Sequence, residues 1–203
     1  MKVSRERCAE NRQRILDVAS KLFREKGFDG IGVADIMKGA GLTHGGFYGH
    51  FASKDDLIAE ACARAISGSV NSWAQIVEQG HDDAAAAIVD GYLSTKHRDR
   101  PGTGCLFAAL GPDVARQGKP IRRVFTEGVR ARLEILAGAV AGRSRAARRR
   151  KALATMSGLV GAMVLARAVD DPSLSEEILA AAAAEIGGQC SGNTSLDKSG
   201  GQG

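Results

Sequence analysis

The stretch GLTHGGFYGHFASKDDL, residues 41–57, places four glycines among three aromatic residues. Each interior glycine costs a helix about 1 kcal/mol relative to alanine, so helix propensity alone does not stabilise a helix here. Phe47 and Phe51 are four residues apart, which puts both rings on the same side of a helix. We therefore expect a short helix that is held by these two rings and that another molecule can approach closely at the glycines.

The residues before this stretch predict two further helices. Apolar residues recur every three to four positions over residues 10–26, as in an amphipathic helix. Gly27 follows, where a helix end favours a left-handed residue. Two short helices, over residues 33–39 and 43–49, are joined by a turn that contains glycine. This spacing is typical of a helix-turn-helix, whose second helix enters the major groove of DNA.

Two hydroxyl residues are placed to begin helices. Thr43 is expected to cap the helix over residues 43–49, and Ser53 a longer helix that ends near residue 78. Amphipathic patterns predict further helices over residues 82–96, 105–116, 120–141, 147–169 and 173–186. Since no segment alternates as a strand does, the predicted fold class is all-α.

The composition argues against several classes of protein. Only 4% of the 203 residues are aromatic, so the core is expected to consist of aliphatic side chains. No apolar run reaches the roughly 18 residues of a membrane span, and the charged N-terminus lacks the apolar segment of a secretory signal. The four cysteines do not have the spacing of a metal site, so we predict no metal or cofactor. The thiols are expected to be reduced and the protein cytoplasmic.

The charge distribution favours a nucleic-acid partner. The net charge is +5, and residues 1–54 hold ten Lys/Arg against six Asp/Glu. A second basic run, RSRAARRRK at residues 143–151, has the pattern of a solvated helix start.

Residues 11–61, which include the stretch ILDVASKLFREKGFDGIGVADIMKGAGLTHGGFYGHFASKDDLIAEA, resemble the N-terminal DNA-binding domain of the TetR family of bacterial transcriptional regulators. The resemblance implies a three-helix DNA-binding head over residues 1–54, followed by a domain over residues 55–187 that binds a small effector and forms a homodimer. A Gly/Ser-rich tail over residues 188–203 is expected to be disordered. The function implied is that of a repressor that a small molecule releases from a palindromic operator.

Carried onto this chain, the resemblance implies DNA contacts by Thr43, His44, Gly45, Tyr48, His50 and Lys54. The chain departs from the family pattern at Gly32, where a Ser or Thr cap is usual. It also departs at Gly46 and Gly49, which replace longer residues, so we expect few direct base contacts from this helix.

The candidate effector-binding residues are the scarce aromatics of the later helices and one cysteine: Trp73, Tyr92, Cys105, Phe107 and Phe125. Each of the aromatics has an alternative interpretation as ordinary core. Cys105 follows Gly104 at a predicted helix start, where the helix dipole favours an anion, so it either reacts with an oxidant or electrophile or fills space as an inert thiol.

A face of the helix over residues 147–169 is the candidate dimer interface. It carries Leu153, Met156, Val160 and Met163 near heptad spacing, and Gly158 and Gly161 permit close helix approach. The alternative interpretation is core within one chain.

Two alternative functions can be considered, although the sequence predicts that the protein is not an enzyme. His44-Gly45-Gly46 is similar to the oxyanion-hole turn of lipases and esterases. Those enzymes also need a G-x-S-x-G nucleophile elbow carried by a sheet, and the chain has no such motif and no predicted sheet. A helical interaction protein with a vestigial head is the second alternative, and the basic head argues against it.

Overall fold

The computed structural model describes residues 5–80 and 83–190, and all regular structure within them is helical. The α-helices are α1 (Arg5–Lys26), α2 (Val33–Gly39), α3 (Lys54–Glu78), α4 (Ala84–Tyr92), α5 (Thr95–Arg98), α6 (Leu106–Ala115), α7 (Lys119–Ala139), α8 (Arg145–Ala168) and α9 (Pro172–Cys190). Two 3₁₀ helices occupy His44–Gly49 and Pro101–Thr103. The all-α prediction is confirmed.

The chain divides into two compact units. The first combines the chain up to Gln75 with Thr95–Arg132, and the second combines Ile76–Ser94 with the chain from Leu133 onward. In the first unit α1 contacts α2, the 3₁₀ turn Pro101–Thr103 and α6. In the second unit α9 packs on α8 and α4.

Signals predicted from the sequence coincide with several of the helix ends. Gly27 ends α1 with φ +74°, and Phe28 turns back so that its ring meets Phe23 edge-on, with centroids 5.4 Å apart. The Ser53 hydroxyl accepts from the amide of Asp56 at 3.1 Å, which caps α3 as predicted. Residues 33–39 form α2 as predicted.

The helix predicted over residues 82–96 is instead two helices, so that prediction is wrong. Asp83 caps α4 by accepting from the amide of Ala86, and α4 ends at Tyr92 before α5 begins at Thr95. The amide of Leu93 still donates to Val89, but the chain leaves helical geometry there. No proline or left-handed glycine marks this break, which is why hydrophobic spacing alone did not reveal it.

Helix α9 reaches Cys190, so the first three residues of the segment predicted to be disordered, 188–190, are helical. The Cys190 side chain is buried, and its sulfur lies 3.7 Å from the Thr155 hydroxyl of α8. This contact holds the end of α9 in place. The rest of that prediction, residues 191–203, lies outside the described residues.

Helix α8 is divided between core and surface. Met156 and Met163 are buried, and a methyl group on Gly158 would come within 2.8 Å of Ile186 of α9. For these residues the interpretation as core is therefore correct. Leu153 and Leu165 remain 46% and 57% exposed on another face.

By length and composition alone, α8 is also apolar enough to cross a membrane. Its buried side chains and its packing on α9 are those of a core helix.

The second basic run lies at the start of α8, and two of its side chains donate to backbone carbonyls of the turn that precedes the helix. The Ser144 hydroxyl caps the helix, Arg148 donates to the Gly142 carbonyl and Lys151 to the Ala141 carbonyl. Arg149 pairs with Glu134 at 2.9 Å. These bonds agree with the interpretation of the run as a helix start.

Candidate nucleic-acid interface

The 3₁₀ helix His44–Gly49 packs on α2 through an apolar inner side. Phe47 and Phe51 are almost completely buried, and their rings stack with centroids 5.7 Å apart. Ile36 and Met37 of α2 are fully buried as well. The prediction that aromatic rings hold this glycine-rich segment is confirmed.

The opposite side of the segment faces solvent. Thr43, His44, Gly45, Tyr48 and Gly49 are all exposed, and we call these five residues the exposed face. Tyr48 is 73% exposed, and its ring meets the edge of Phe47 at 5.2 Å between centroids. Since a tyrosine ring loses hydrophobic stabilisation in water, a ring held this far out of the core is available to a partner.

Internal packing does not require the glycines of the exposed face. A methyl group added at Gly45 or at Gly49 would meet nothing within 4 Å, and both residues have ordinary φ. Gly41 differs, since its φ of +71° belongs to the left-handed region that favours glycine. Gly45 and Gly49 thus leave an open, smooth surface on the outer side of the segment.

Thr43 does not cap the segment, so this prediction is wrong. The reason is the tighter 3₁₀ geometry, in which the amide of Gly46 donates to the Thr43 carbonyl at 3.0 Å. A capping hydroxyl would have bound an amide at that position. Thr43 is exposed, and its hydroxyl caps no amide of the segment.

The other two predicted DNA-binding residues have partners within the head. The Lys54 ammonium donates to the Phe28 carbonyl at 2.6 Å, which ties the start of α3 to the end of α1. His50 is half-buried, and its Nδ1 lies 3.8 Å from the Cys8 sulfur of α1. Both residues follow the exposed face in the sequence. Their contacts connect the segment after it to α1 and to Phe28, which follows the end of α1.

Two ion pairs between α1 and α3 were missed by sequence reasoning. Arg12 donates to Glu60 at 2.6 Å while its guanidinium lies 4.7 Å from the Phe51 ring centroid. Arg64 pairs with Asp17 at 2.6 Å. Because the paired residues are 47 or 48 positions apart, no local pattern reveals them.

Helix α2 begins at Val33, and Gly32, the residue before it, provides no side-chain cap. This departure from the family pattern therefore has a structural consequence: no side chain of residue 32 binds the first amides of α2.

Of the predicted effector-binding residues, Trp73, Cys105 and Phe107 come together around Arg132 of α7. Arg132 lies 4.1 Å from the Trp73 ring centroid and 5.1 Å from that of Phe107, and its Nη1 donates to the Cys105 sulfur at 3.3 Å. Phe125 joins the group through Phe107, with centroids 4.7 Å apart. Arg132 was missed because its charge is typical of a solvated helix face.

Tyr92 is buried in the second unit. The sequence prediction that grouped it with the other four residues stays a prediction.

Comparison with known proteins agrees with the arrangement of the head. The family model described as "Bacterial regulatory proteins, tetR family" matches residues 15–61. A helix-turn-helix-type transcriptional regulator of Staphylococcus aureus strain bovine RF122 is 37% identical over 79 residues, which cover 39% of this chain and 43% of that protein. The AcrR regulator of Shigella flexneri is 42% identical over 57 residues, or 28% of this chain and 26% of that protein. The chain thus aligns with less than half of the length of these curated relatives.

The fold similarity extends further along the chain. The crystal structure of a TetR transcriptional regulator from Chloroflexus aurantiacus superposes with a TM-score of 0.75, covering 91% of this chain and 98% of that one at 24% identity. At this identity the likeness establishes the fold. Residues 15–61 thus match the TetR family of bacterial regulatory proteins, and the chain shares the all-helical fold of TetR-family structures.

Proposed function

We propose that this chain is a homodimeric, cytoplasmic transcriptional repressor that binds a palindromic operator and releases it when a small molecule binds. The observation that carries the proposal is the exposed face: an outward tyrosine, histidine and threonine beside two glycines that packing does not require. Residues 1–54 act as the DNA-binding head and residues 55–187 as the part that binds the effector and the second copy.

In this proposal the exposed face enters the major groove. The Thr43 hydroxyl and the His44 ring contact base edges, and the Tyr48 hydroxyl contacts a phosphate. Gly45 and Gly49 let the backbone approach the DNA more closely than a side chain would allow. Few of these groups read bases, so much of the affinity comes from phosphate contacts and is sensitive to salt.

His50 and Lys54 extend the contact toward the phosphate backbone. The Lys54 ammonium donates to the Phe28 carbonyl, and this bond fixes the position of its charge at the junction of α1 and α3. It adds positive potential there while it orients the head.

The effector acts on the head through contacts of α1. The Arg24 guanidinium donates to the Gly104 carbonyl at 3.0 Å, and the ion pairs of Arg12 and Arg64 fasten α1 to α3. A ligand that shifts the segment around Gly104 therefore moves a helix of the head. A coupling free energy of about 1–3 kcal/mol is enough to release the operator.

Dimerisation uses the solvent-facing side of α8. Leu153, Val164 and Leu165 are exposed there, and Gly161 carries no side chain that would keep a second helix away. Exposed apolar side chains of this kind mark association surfaces. The dimer presents two copies of the exposed face, about 34–36 Å apart, to successive turns of DNA.

Selection from genomic DNA tests the proposal. Fragments of the genome that encodes this chain are incubated with the protein, and the bound fragments are sequenced. We expect enrichment of a palindrome whose half-sites lie one helical turn apart, bound with an affinity that falls steeply as salt rises. A helical interaction protein with a vestigial head, or an enzyme, would enrich no sequence, and that result would contradict the proposal.

A further inference from the structure

Arg132 is the only charged residue among the described ones that is buried, with 2% of its surface exposed. Removing a guanidinium from water costs several kcal/mol unless a counter-charge and hydrogen bonds compensate. Within residues 5–80 and 83–190, no carboxylate forms an ion pair with it. The positive charge of Arg132 is therefore buried without an acidic partner.

The contacts that Arg132 does make leave one edge of its guanidinium unused. Its guanidinium carbon lies over the rings of Trp73 and Phe107, and its Nη1 donates to the sulfur of Cys105. Its Nε is buried and has no hydrogen-bond acceptor. Cation–π contacts are modest in energy and a thiol is a weak acceptor, so these contacts do not offset the cost of burial.

The unused edge has the chemistry of a carboxylate receptor. The guanidinium presents its N–H groups as a planar fork, which matches the two oxygens of a carboxylate. A second cation is near, because Arg24 donates to the carbonyl of Gly104, the residue before Cys105. Burial lowers the pKa of the Arg24 guanidinium, so this second cation is also partly withdrawn from water.

We propose that Arg132, Trp73 and Phe107 anchor an effector that carries a carboxylate on a flat aromatic ring. The carboxylate supplies the missing counter-charge through Nε, and the ring stacks with the aromatic side chains. This assignment rests on the proposed function, because the bound carboxylate is taken to be the effector of the repressor. Its effect reaches the head because Cys105, bound by Arg132, follows the carbonyl that Arg24 of α1 binds.

The fluorescence of Trp73 tests the site directly, because Trp73 is the one tryptophan in the chain. Benzoate is titrated into the full-length protein without DNA, and benzamide, which has the same ring and no charge, serves as the matched ligand. We expect benzoate to change the emission in a saturable way at millimolar concentration, and benzamide to bind at least about tenfold more weakly.

Two substitutions of Arg132 and one control assign the binding. Arg132→Met should weaken benzoate binding by at least about tenfold, and Arg132→Lys, which keeps the charge without the planar fork, should weaken it less. Arg130→Met on the exposed side of α7 should leave it unchanged. Equal binding of benzoate and benzamide, or full binding by Arg132→Met, would overturn the assignment.

Thermal unfolding without ligand separates this proposal from a purely structural role. An unpaired buried charge destabilises the fold, so Arg132→Met should melt at the same temperature as the parent or higher. A lower melting temperature would show that the contacts of Arg132 with Trp73, Phe107 and Cys105 already offset the cost of its burial, and would overturn the proposal. Because neither measurement uses DNA, the failure of operator binding would refute the proposed function and leave the anion site standing.

Discussion

At the scale of the residue, Tyr48 gives the sharpest prediction. Its ring is 73% exposed, so Tyr48→Phe should leave the free energy of unfolding unchanged. The same change should weaken binding to every DNA sequence by about 1 kcal/mol, since a phosphate contact carries no sequence information. Fluorescence anisotropy with specific and random duplexes measures both affinities. If Tyr48→Phe binds both duplexes as the parent does, the hydroxyl makes no DNA contact.

The four thiols should differ in reactivity at the same scale. Cys8 is exposed, whereas Cys62, Cys105 and Cys190 are buried, and burial raises the pKa of the Cys62 thiol to about 12. A titration of the native protein with Ellman's reagent should therefore show one fast thiol, which Cys8→Ser removes. A second fast thiol that disappears in Cys105→Ser would favour the alternative that Cys105 reacts with electrophiles.

At the scale of the element, substitution by alanine tests whether a glycine of the 3₁₀ helix is needed for DNA binding and not for folding. Gly45→Ala meets no neighbour, so it should fold normally and yet weaken operator binding by about 1 kcal/mol, because the added methyl group faces the DNA. Gly68→Ala on α3 also meets no neighbour and is the matched control. It should raise stability by up to about 1 kcal/mol with no effect on the operator. Equal operator affinity of both variants would show that the backbone at Gly45 does not approach DNA.

The ends of the helices show which features of the fold can be predicted from the sequence. Gly27 and Ser53 are local signals, and both end or begin helices as predicted. The capping role of Thr43 was wrong because a short segment can adopt 3₁₀ geometry, which depends on how Phe47 packs and not on local propensity. The surroundings of Arg132 bring together residues about 30 and 60 positions apart, so no local pattern predicts a buried arginine there.

At the scale of the whole molecule, the exposed apolar side chains of α8 predict where two copies of the chain associate. Leu165 is the most exposed large apolar side chain of α8, so Leu165→Glu should convert the proposed dimer to a monomer without unfolding the chain. Val77→Glu places the same charge at another exposed apolar residue and should leave the dimer intact. Analytical ultracentrifugation measures the assembly. A dimeric Leu165→Glu protein would show that α8 is not the interface.

The most direct test of the central claim, that the exposed face of the head reads DNA, is the affinity for the selected operator as a function of salt. Anisotropy is measured for the parent and for His44→Ala with the operator and with a scrambled duplex. For the parent we expect a linear fall of log K with log salt and a preference for the operator of at least about a thousandfold. His44→Ala should reduce that preference while it keeps the slope. A parent protein that binds both duplexes equally, or that shows no salt dependence, would contradict the claim.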